Sequence, residues 1–300
     1  MHKITSKWPH QDSVKIEWNL GKRCNLDCTY CPESIHDNFS PHTDINLLKA
    51  TVDKLVALDK PVRISLTGGE PCVHPQIDEL LNYMSSKISW LNVTSNGTRK
   101  PEWYVKQPVS HYVFSLHFED SDWNRYFNNI LLFGQLNEDR DRIPFIVNVM
   151  AHHMHMDRVR QACNLFDGHN IKYVVRRIRW TEGDHDRFDD MRYKEKELAW
   201  IINQDATALP NCVIDDSIYM HANDVIKLHK NNFKGWKCNA GIESLMINWD
   251  GDVHRATCRV GGSLGNIYTG TFTVPTEHII CTRNSCTCAA DIPLSKEKLT

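Results

Sequence analysis

The amino-acid sequence predicts an α/β fold: an open barrel of six βα units, followed by a small C-terminal domain that contains a β-hairpin. Between residues 14 and 180, six β-like segments alternate with amphipathic helical segments, and the alternation stops after Trp180. Successive βα units form a parallel sheet with right-handed crossovers. Six units are fewer than the eight that close a TIM barrel, so we expect a partial (β/α)6 TIM-like barrel.

Hydrophobic periodicity locates the individual elements of this barrel. The predicted strands cover residues 14–20, 62–66, 90–98, 111–119, 144–150 and 171–179. The first helix begins at a Thr43/Asp44 N-cap and ends before Pro61. Its predicted apolar face consists of Ile45, Leu48, Val52 and Leu55, and that of the second helix consists of Ile77, Leu80, Leu81 and Met84.

Four segments follow from this pattern: an N-terminal tail (1–13), the barrel (14–180), a connecting helical segment (181–237) and the C-terminal domain (238–300). In the last of these, "LMINWDGDVHRATC" predicts a hairpin around Asp250-Gly251. Five cysteines lie in this segment. Because so small a unit rarely has enough hydrophobic core alone, we expect bound metal to stabilise it.

Composition excludes several classes of protein. The chain has 300 residues, 41% of them hydrophobic and 24% charged, with a net charge of −2. This balance argues against strong non-specific binding to nucleic acid. No apolar run reaches the roughly 18 residues of a membrane span, and the N-terminus lacks a secretory h-region, so we expect a cytoplasmic protein with no membrane partner. Eleven cysteines then indicate metal or redox chemistry.

Three cysteines, Cys24, Cys28 and Cys31, form a C-x3-C-x2-C motif directly after the first predicted strand. Structural zinc takes four ligands, and neither a further nearby cysteine nor His36 completes a common zinc spacing. An iron–sulfur cluster is usually held by about four thiolates, so three leave one iron open. An open coordination position on a redox-active cluster indicates a reactive site.

This motif, with Tyr30 before its last cysteine, resembles the radical SAM superfamily. The resemblance implies that the three thiolates hold a [4Fe–4S] cluster whose open iron binds S-adenosylmethionine (SAM). It also implies reductive cleavage of SAM to a 5′-deoxyadenosyl radical, which abstracts a substrate hydrogen atom. The turn "TGGEP" at 67–71 resembles the family's contact with the SAM amino group: Gly68 and Gly69 permit close backbone approach, and Glu70 offers an acceptor.

Further positions resemble SAM contacts of the family at the ends of later strands. They are Ser95 in the "SNGT" turn, Ser115 in "FSLHFE", Asn148 and Arg177. Strand alternation predicts that Ser115 and His117 point in the same direction. Arg177 also belongs to the densest basic run, "RRIR" at 176–179, which is either a solvated strand end or a contact for phosphate.

The C-terminal cysteines resemble the SPASM/Twitch extensions of the same superfamily. Cys238 and Cys258 flank the predicted hairpin, "GGSLGNI" follows, and Cys281, Cys286 and Cys288 come last. The resemblance implies an auxiliary [4Fe–4S] cluster, and five cysteines fit the shorter Twitch form. The spacing leaves open which two of the last three cysteines are ligands, and a zinc site or a group of reduced thiols is the alternative.

The resemblance implies an enzyme of the oxidoreductase or isomerase type that oxidises, cyclises or rearranges its substrate. Its implied partners are SAM, a reductant such as flavodoxin or ferredoxin, and a peptide, sugar, nucleoside or DNA base. Only about a dozen residues precede the first strand, which disfavours a peptide held through its leader. The alternative hypothesis is a non-catalytic iron–sulfur or zinc protein that binds a partner or senses redox state.

Overall fold

A computed structural model of the protein describes residues 1–7, 12–58, 60–138, 143–178, 192–204 and 209–299. The strands in these ranges are β1 Lys3–Ser6, β2 Val14–Asn19, β3 Val62–Thr67, β4 Trp90–Ser95, β5 His111–Leu116, β6 Phe145–Ala151, β7 Tyr173–Arg177, β8 Cys212–Ile214, β9 Ile218–Met220, β10 Trp236–Cys238, β11 Ser244–Ile247, β12 Asp252–His254, β13 Ser263–Asn266, β14 Ile279–Ile280 and β15 Lys296–Lys298. The α-helices are α1 Ile45–Val56, α2 Ile77–Ser85, α3 Pro101–Tyr104, α4 Trp123–Glu138, α5 Met156–Gly168, α6 Glu195–Asn203 and α7 Ala222–Lys227.

The predicted partial barrel is confirmed. Strands β2 to β7 are neighbours in chain order, and every pair among them is parallel. Their sheet has β13 at one edge and β7 at the other, so the barrel is open. The six predicted strands correspond to β2–β7, with ends that differ by up to three residues.

Helix α1 shows how the sequence determines the outer layer of the barrel. The Asp44 carboxylate caps it by accepting from the backbone N–H groups of Asn46 at 2.9 Å and Leu47 at 3.2 Å. The predicted apolar faces of α1 and α2 are both buried against the sheet. Burial of these faces is the main stabilising contribution of the helices.

The predicted hairpin around Asp250-Gly251 is also confirmed, as the antiparallel pair β11 and β12. However, β11 pairs in parallel with β2, so the hairpin extends the barrel sheet. Leu245 and Ile247 of β11 are fully buried, and the pairing satisfies the backbone groups of an otherwise open edge of β2. The C-terminal region is therefore joined to the barrel through the strand that precedes the C-x3-C-x2-C motif.

A second sheet, in the order β14-β10-β15-β1-β8-β9, was not expected from the sequence. It includes β1 from the expected tail and β8 and β9 from the expected connecting segment. Runs of two to four residues are too short to show a period of two, which explains why the pattern missed them. The division of the chain into four segments stays a prediction. No helix in the described ranges has both the length and the apolar character to cross a membrane.

Because β1 belongs to the second sheet, we expect a substitution of its buried residue to lower the stability of the protein measurably. Ile4 is fully buried and packs with Ile214 and Phe233. We expect Ile4→Ala to lower the free energy of unfolding by about 2–5 kcal/mol, because it leaves a cavity in this core. Lys3→Ala removes an exposed ion pair with Asp216 and is the matched control, with an expected loss of about 1 kcal/mol or less.

Urea denaturation of both variants measures the difference. Equal stability of the Ile4 and Lys3 variants would contradict a packed role for β1.

Candidate active site

A cavity of about 490 Å³ lies at the carboxyl ends of β2 to β7. Cys24, Cys28 and Cys31 all line it. So does every residue predicted to contact SAM: Tyr30, Gly68, Gly69, Glu70, Ser95, Ser115, Asn148 and Arg177. His117 lines the same wall as Ser115, as strand alternation predicted. The structure therefore brings the predicted residues together at the end of the barrel where βα folds place active sites.

Backbone hydrogen bonds fold the cysteine loop into this cavity. The Cys24 N–H donates to the Asp37 carbonyl oxygen at 2.7 Å, and the Cys31 N–H donates to the Cys28 carbonyl oxygen at 3.0 Å. Buried His36 donates from Nε2 to the Leu26 carbonyl oxygen at 2.7 Å. Because this nitrogen carries a proton, it is not available as a metal ligand, and His36 instead fixes the loop.

The three thiols are poorly solvated. Burial raises the pKa of the Cys24 thiol to about 11 and the pKa values of the Cys28 and Cys31 thiols to about 12. Thiolates in such surroundings need a positive charge beside them, which is the charge that a bound metal would supply. In the described part of the chain, no three His, Cys, Asp or Glu side chains are arranged around one common ion position.

The Gly68-Gly69 turn contacts the start of the cysteine loop. A Cβ atom on Gly69 would lie 2.4 Å from the Arg23 carbonyl oxygen and 2.6 Å from that of Lys22. Gly69 also has φ +51°, a backbone conformation that side chains disfavour. The next N–H, that of Glu70, donates to the Arg23 carbonyl oxygen at 3.0 Å. The glycine is therefore required for the two cavity-forming loops to meet.

Glu70 joins two walls of the cavity. Its buried carboxylate accepts from the Cys72 N–H at 2.9 Å and from the Asn96 N–H at 2.6 Å. Burial raises the pKa of Glu70, and these hydrogen bonds oppose that rise. The carboxylate thereby links the turn after β3 to the turn after β4. Its predicted contact with an ammonium group of SAM stays a prediction.

Glu119, three residues beyond the end of β5, supports the cysteine loop, a role that sequence reasoning missed. Its carboxylate accepts from the Thr29 N–H at 2.9 Å and from the Thr29 hydroxyl at 2.6 Å. His152 Nε2 lies 3.1 Å from the same carboxylate. The hydroxyl of Tyr30 is hydrogen-bonded to His117 Nδ1, whose pKa burial lowers to about 4. Glu119 and His117 follow Ser115 at intervals of two residues in the predicted strand 111–119, and this spacing was the available signal.

The polar lining continues deeper into the barrel. A second cavity of about 300 Å³, the lower cavity, shares Asn148, Arg176 and Asn223 with the first one, the upper cavity. Asn223 lies in α7, which sequence reasoning did not predict. Of the basic run "RRIR", Arg176 and Arg177 line the upper cavity, while Arg179 lies outside the described residues.

The five C-terminal cysteines are neighbours. Cys258 neighbours Cys238, Cys281 and Cys286, and Cys286 also neighbours Cys288. Cys288 in addition lines the barrel cavity and lies beside Lys15, Glu17 and Asp291. Buried Lys296, also missed by sequence reasoning, donates from Nζ to the carbonyl oxygens of Asp291, Ile292 and Leu294 at 2.6, 3.0 and 3.1 Å.

Comparison with known proteins agrees with this geometry. Residues 18–118, the segment that carries the cysteine loop and the Gly-Gly turn, match the model of the radical SAM superfamily. The chain is 33% identical over 84 residues to the Fe-coproporphyrin III synthase of Methanosarcina barkeri, which is 28% of this chain and 21% of that protein. It is 34% identical over 84 residues to the GTP 3′,8-cyclase of Syntrophomonas wolfei, which is 27% of this chain and 26% of the cyclase.

Solved structures share the fold at low sequence identity. The anSMEcpe structure with bound AdoMet and the Cp18Cys peptide superposes with a TM-score of 0.55, at 16% identity, over 86% of this chain and 78% of that one. Streptococcus suis SuiB bound to S-adenosylmethionine gives a TM-score of 0.56, at 15% identity, over 86% of this chain and 64% of SuiB.

A partial βα barrel with three thiols at its carboxyl end defines the class of protein. Residues 18–118 match the radical SAM superfamily, so the chain contains a radical SAM domain in this region. Members of this superfamily use a [4Fe–4S] cluster and SAM and are generally enzymes. The matched stretches are about a quarter or less of the length of the curated relatives named above.

Gly69 offers a direct test of how the two loops meet. We expect Gly69→Ala to weaken SAM binding at least tenfold in the reconstituted protein, because the new Cβ collides with the Lys22 and Arg23 carbonyl groups. Gly21→Ala is the matched control, since a Cβ there meets nothing within 4 Å. Calorimetric titration measures the affinity of both variants for SAM. Equal SAM affinity of the two variants would show that the close contact is not needed.

The two hydrogen bonds from Thr29 to Glu119 lead to a prediction about how firmly the protein retains iron. Glu119→Ala removes two hydrogen bonds to Thr29, each worth about 1.5–3 kcal/mol when the acceptor is charged. We expect faster anaerobic loss of iron to a chelator, followed by the decay of visible absorbance. Glu33→Ala, which alters an exposed carboxylate in the same loop, is expected to lose iron at the wild-type rate. Identical rates for both variants would exclude a supporting role for Glu119.

Proposed function

We propose that this chain cleaves SAM reductively and uses the resulting radical to abstract a hydrogen atom from a substrate. One observation carries the proposal: the three thiols of the C-x3-C-x2-C loop and the Gly68-Gly69 turn lie in one cavity. A redox-sensing or binding protein has no need for a glycine turn seated beside the thiol group. Oxidation, cyclisation and rearrangement are the proposed classes of reaction.

The residues present fit the cofactors of this reaction. Cys24, Cys28 and Cys31 supply three thiolates, and the Leu26 N–H donates to the Cys24 sulfur at 3.4 Å, which stabilises a thiolate. When bound, a [4Fe–4S] cluster transfers one electron to SAM, which yields methionine and a 5′-deoxyadenosyl radical that takes a hydrogen atom to become 5′-deoxyadenosine. A reduced flavodoxin or ferredoxin is the proposed source of the electron.

The other cavity residues orient SAM and exclude water. The proposed contacts of SAM are the backbone at Gly68 and Gly69, the Glu70 carboxylate, Ser95, Ser115, Asn148 and Arg177. Ser95 is 1% exposed and its hydroxyl is 2.8 Å from that of Tyr104, so its position is fixed. Buried walls of this kind protect a radical from solvent.

We further propose that Cys238, Cys258, Cys281 and Cys286 bind an auxiliary [4Fe–4S] cluster. Support comes from their grouping around Cys258 and from the buried Lys296 ammonium, whose charge favours thiolate ligands. Cys288 is the fifth candidate, but it lines the barrel cavity. There its thiol faces the proposed substrate. The auxiliary cluster then either accepts an electron from the substrate radical or stabilises the C-terminal region.

We propose the substrate only by its chemical class. A peptide, a sugar, and a nucleoside or DNA base all fit an enzyme of this superfamily. Relatives with printed activities include a cyclase for GTP and a protein of subtilosin biosynthesis from Bacillus subtilis. The amide and guanidinium groups of Asn148 and Arg177 in the lining favour a substrate that carries polar groups.

The decisive experiment for the proposed function is SAM cleavage. The protein is reconstituted anaerobically with iron and sulfide and assayed with dithionite and SAM for 5′-deoxyadenosine. We expect product from the wild type and none from the Cys24→Ala/Cys28→Ala/Cys31→Ala variant. A wild type that is fully loaded with iron but forms no deoxyadenosine would support the non-catalytic alternative.

Iron content tests the auxiliary cluster separately. We expect about eight irons in the wild type and about four in the triple variant, since each cluster holds about four. Cys238→Ala/Cys258→Ala is expected to retain about four irons, while Cys288→Ala keeps about eight because its thiol is not a ligand. Loss of about four irons in Cys288→Ala would instead place Cys288 in the ligand set.

A further inference from the structure

The inward faces of the barrel strands continue from the upper cavity into the lower cavity. On β5, Ser115 lines the upper cavity, whereas Val113 and His111 line the lower one. Thr94 of β4 and Asn148 of β6 line both cavities. A strand rises about 3.3 Å per residue, so His111 lies about 13 Å below Ser115 along β5. A molecule that extends from the SAM-binding end of the barrel to His111 therefore spans about that distance.

A chain of hydrogen bonds fixes the tautomer of His111. Asn92 Nδ2 donates to the Ser65 hydroxyl oxygen at 2.8 Å, so Asn92 Oδ1 is the acceptor that faces His111 Nδ1 at 2.7 Å. The proton of a neutral His111 ring is therefore on Nδ1. Burial lowers the pKa of His111 to about 4, so the ring is neutral at physiological pH and its Nε2 is an acceptor.

This Nε2 atom is available to a ligand. Among the described residues, none donates a hydrogen bond to it. The atom is also not among the buried nitrogen and oxygen atoms that lack a partner in the described ranges, so it keeps contact with solvent. Because His111 lines the lower cavity, that cavity contains a hydrogen-bond acceptor whose protonation state is set by Asn92 and by burial.

An aromatic wall lies beside this acceptor. Trp90, the first residue of β4, also lines the lower cavity. Its ring centroid is 6.4 Å from that of His111, and the two ring planes are 29° apart. Stacking of a nucleobase on an aromatic side chain contributes about 1–3 kcal/mol to binding. The lower cavity thus combines a hydrogen-bonding edge with a surface suited to a flat ring.

Neutral donors come from other elements of the same cavity. Asn148 Oδ1 accepts from Arg176, which leaves the Asn148 Nδ2 group as a donor. His221 Nδ1 accepts from the Asn223 N–H at 3.2 Å, and burial lowers the pKa of His221 to about 4. The proton of this neutral ring is therefore on Nε2, which is a donor. Uncharged donors and an uncharged acceptor with fixed roles match a ligand that has fixed donors and acceptors of its own.

Charged side chains also line the lower cavity. Lys15 is paired with Glu17 at 2.6 Å, and Arg176 donates to two amide oxygens. Arg63 is the remaining cation in the lining. An anionic group is therefore the alternative occupant, and succinate is the probe that tests it.

We propose that the lower cavity binds the uncharged base of a nucleoside substrate, with His111 Nε2 accepting a hydrogen bond from an N–H group of the base. This inference rests on the proposed function, since it names the substrate class of the same site. Small-molecule sites have volumes of about 300–1,000 Å³, so a cavity of about 300 Å³ suits a single base. A sugar hydroxyl both donates and accepts, and a sugar has no π face, so the fixed roles of the lining and the Trp90 ring favour a base. The sugar of the nucleoside then extends towards the upper cavity and the proposed SAM site.

The test measures binding to the reconstituted protein by calorimetry, with saturating SAM so that no probe binds at the SAM site. The probes are adenosine, guanosine, cytidine, uridine, glucose and succinate. We expect the wild type to bind at least one nucleoside more tightly than it binds glucose or succinate.

Two substitutions of His111 separate its two nitrogens. An asparagine amide reaches the position of Nδ1 and can still bond to Asn92, but it lacks Nε2, so His111→Asn should bind the nucleoside at least tenfold more weakly. A glutamine amide reaches the position of Nε2, so His111→Gln should bind the nucleoside more tightly than His111→Asn does. A purely structural role of His111 in holding Asn92 predicts the opposite order. His278→Asn alters an exposed histidine and is the matched control, with binding equal to that of the wild type.

Circular dichroism and SAM titration establish that each variant is folded and binds SAM. If His111→Asn does not fold, Trp90→Leu is the second variant and should also bind the nucleoside at least tenfold more weakly. The proposal is overturned if the wild type binds no nucleoside, or if glucose or succinate binds more tightly than every nucleoside. Equal nucleoside affinity of the wild type and the folded His111→Asn or Trp90→Leu variant would also overturn it.

Deoxyadenosine formation in the same samples keeps the two proposals distinct. If deoxyadenosine forms and no nucleoside binds, the nucleoside site is wrong and the proposed function stands. If a nucleoside binds through His111 but no deoxyadenosine forms, the proposed function fails, and with it the assignment of the nucleoside as a substrate of that reaction.

Discussion

The close contact between Gly69 and the backbone of Lys22 and Arg23 is the constraint on which the site depends. It brings the loop after β3 against the loop after β2, at a distance that no side chain on Gly69 permits. The Glu70 carboxylate then extends the connection to Asn96 after β4. Three consecutive strand ends are thereby fixed relative to one another through backbone groups, whose positions vary less than those of side chains. A cofactor bound across these loops meets a preorganised surface.

Burial of the cysteine loop has a thermodynamic consequence. Cys28 is 8% exposed, and burial raises the pKa values of all three thiols well above their usual range. Without metal the loop holds neutral thiols, and binding of metal must displace their protons. The supports of the loop, His36 and Glu119, do not depend on the thiols, since they bond to Leu26 and Thr29. The loop can therefore keep its fold before a cluster is inserted.

Sequence reasoning identified the barrel strands from a local pattern, and it identified the predicted residues of the upper cavity from the resemblance to the radical SAM superfamily. Alternation located β2 to β7, and the spacing of Cys24, Cys28 and Cys31 pointed to one site. It missed the second sheet, whose strands are too short to show a period. It also missed the contact between Arg176 and Asn223, which are 47 residues apart and meet only through the tertiary fold. Cysteine spacing does not give the direction of a side chain, so it could not show that Cys288 also lines the barrel cavity.

The interior of this barrel holds a cavity, which changes where the stability of the barrel comes from. A closed TIM barrel fills its interior with bulky apolar side chains. Here the inward positions of β2 and β3 include Lys15, Glu17 and Arg63, which line a cavity. The apolar burial must then lie on the outer face, where Ile16 and Trp18 of β2 are fully buried. The parallel pairing of β11 with β2 closes one edge of the sheet with further apolar residues. The C-terminal region thus helps to stabilise a barrel whose interior contains a cavity.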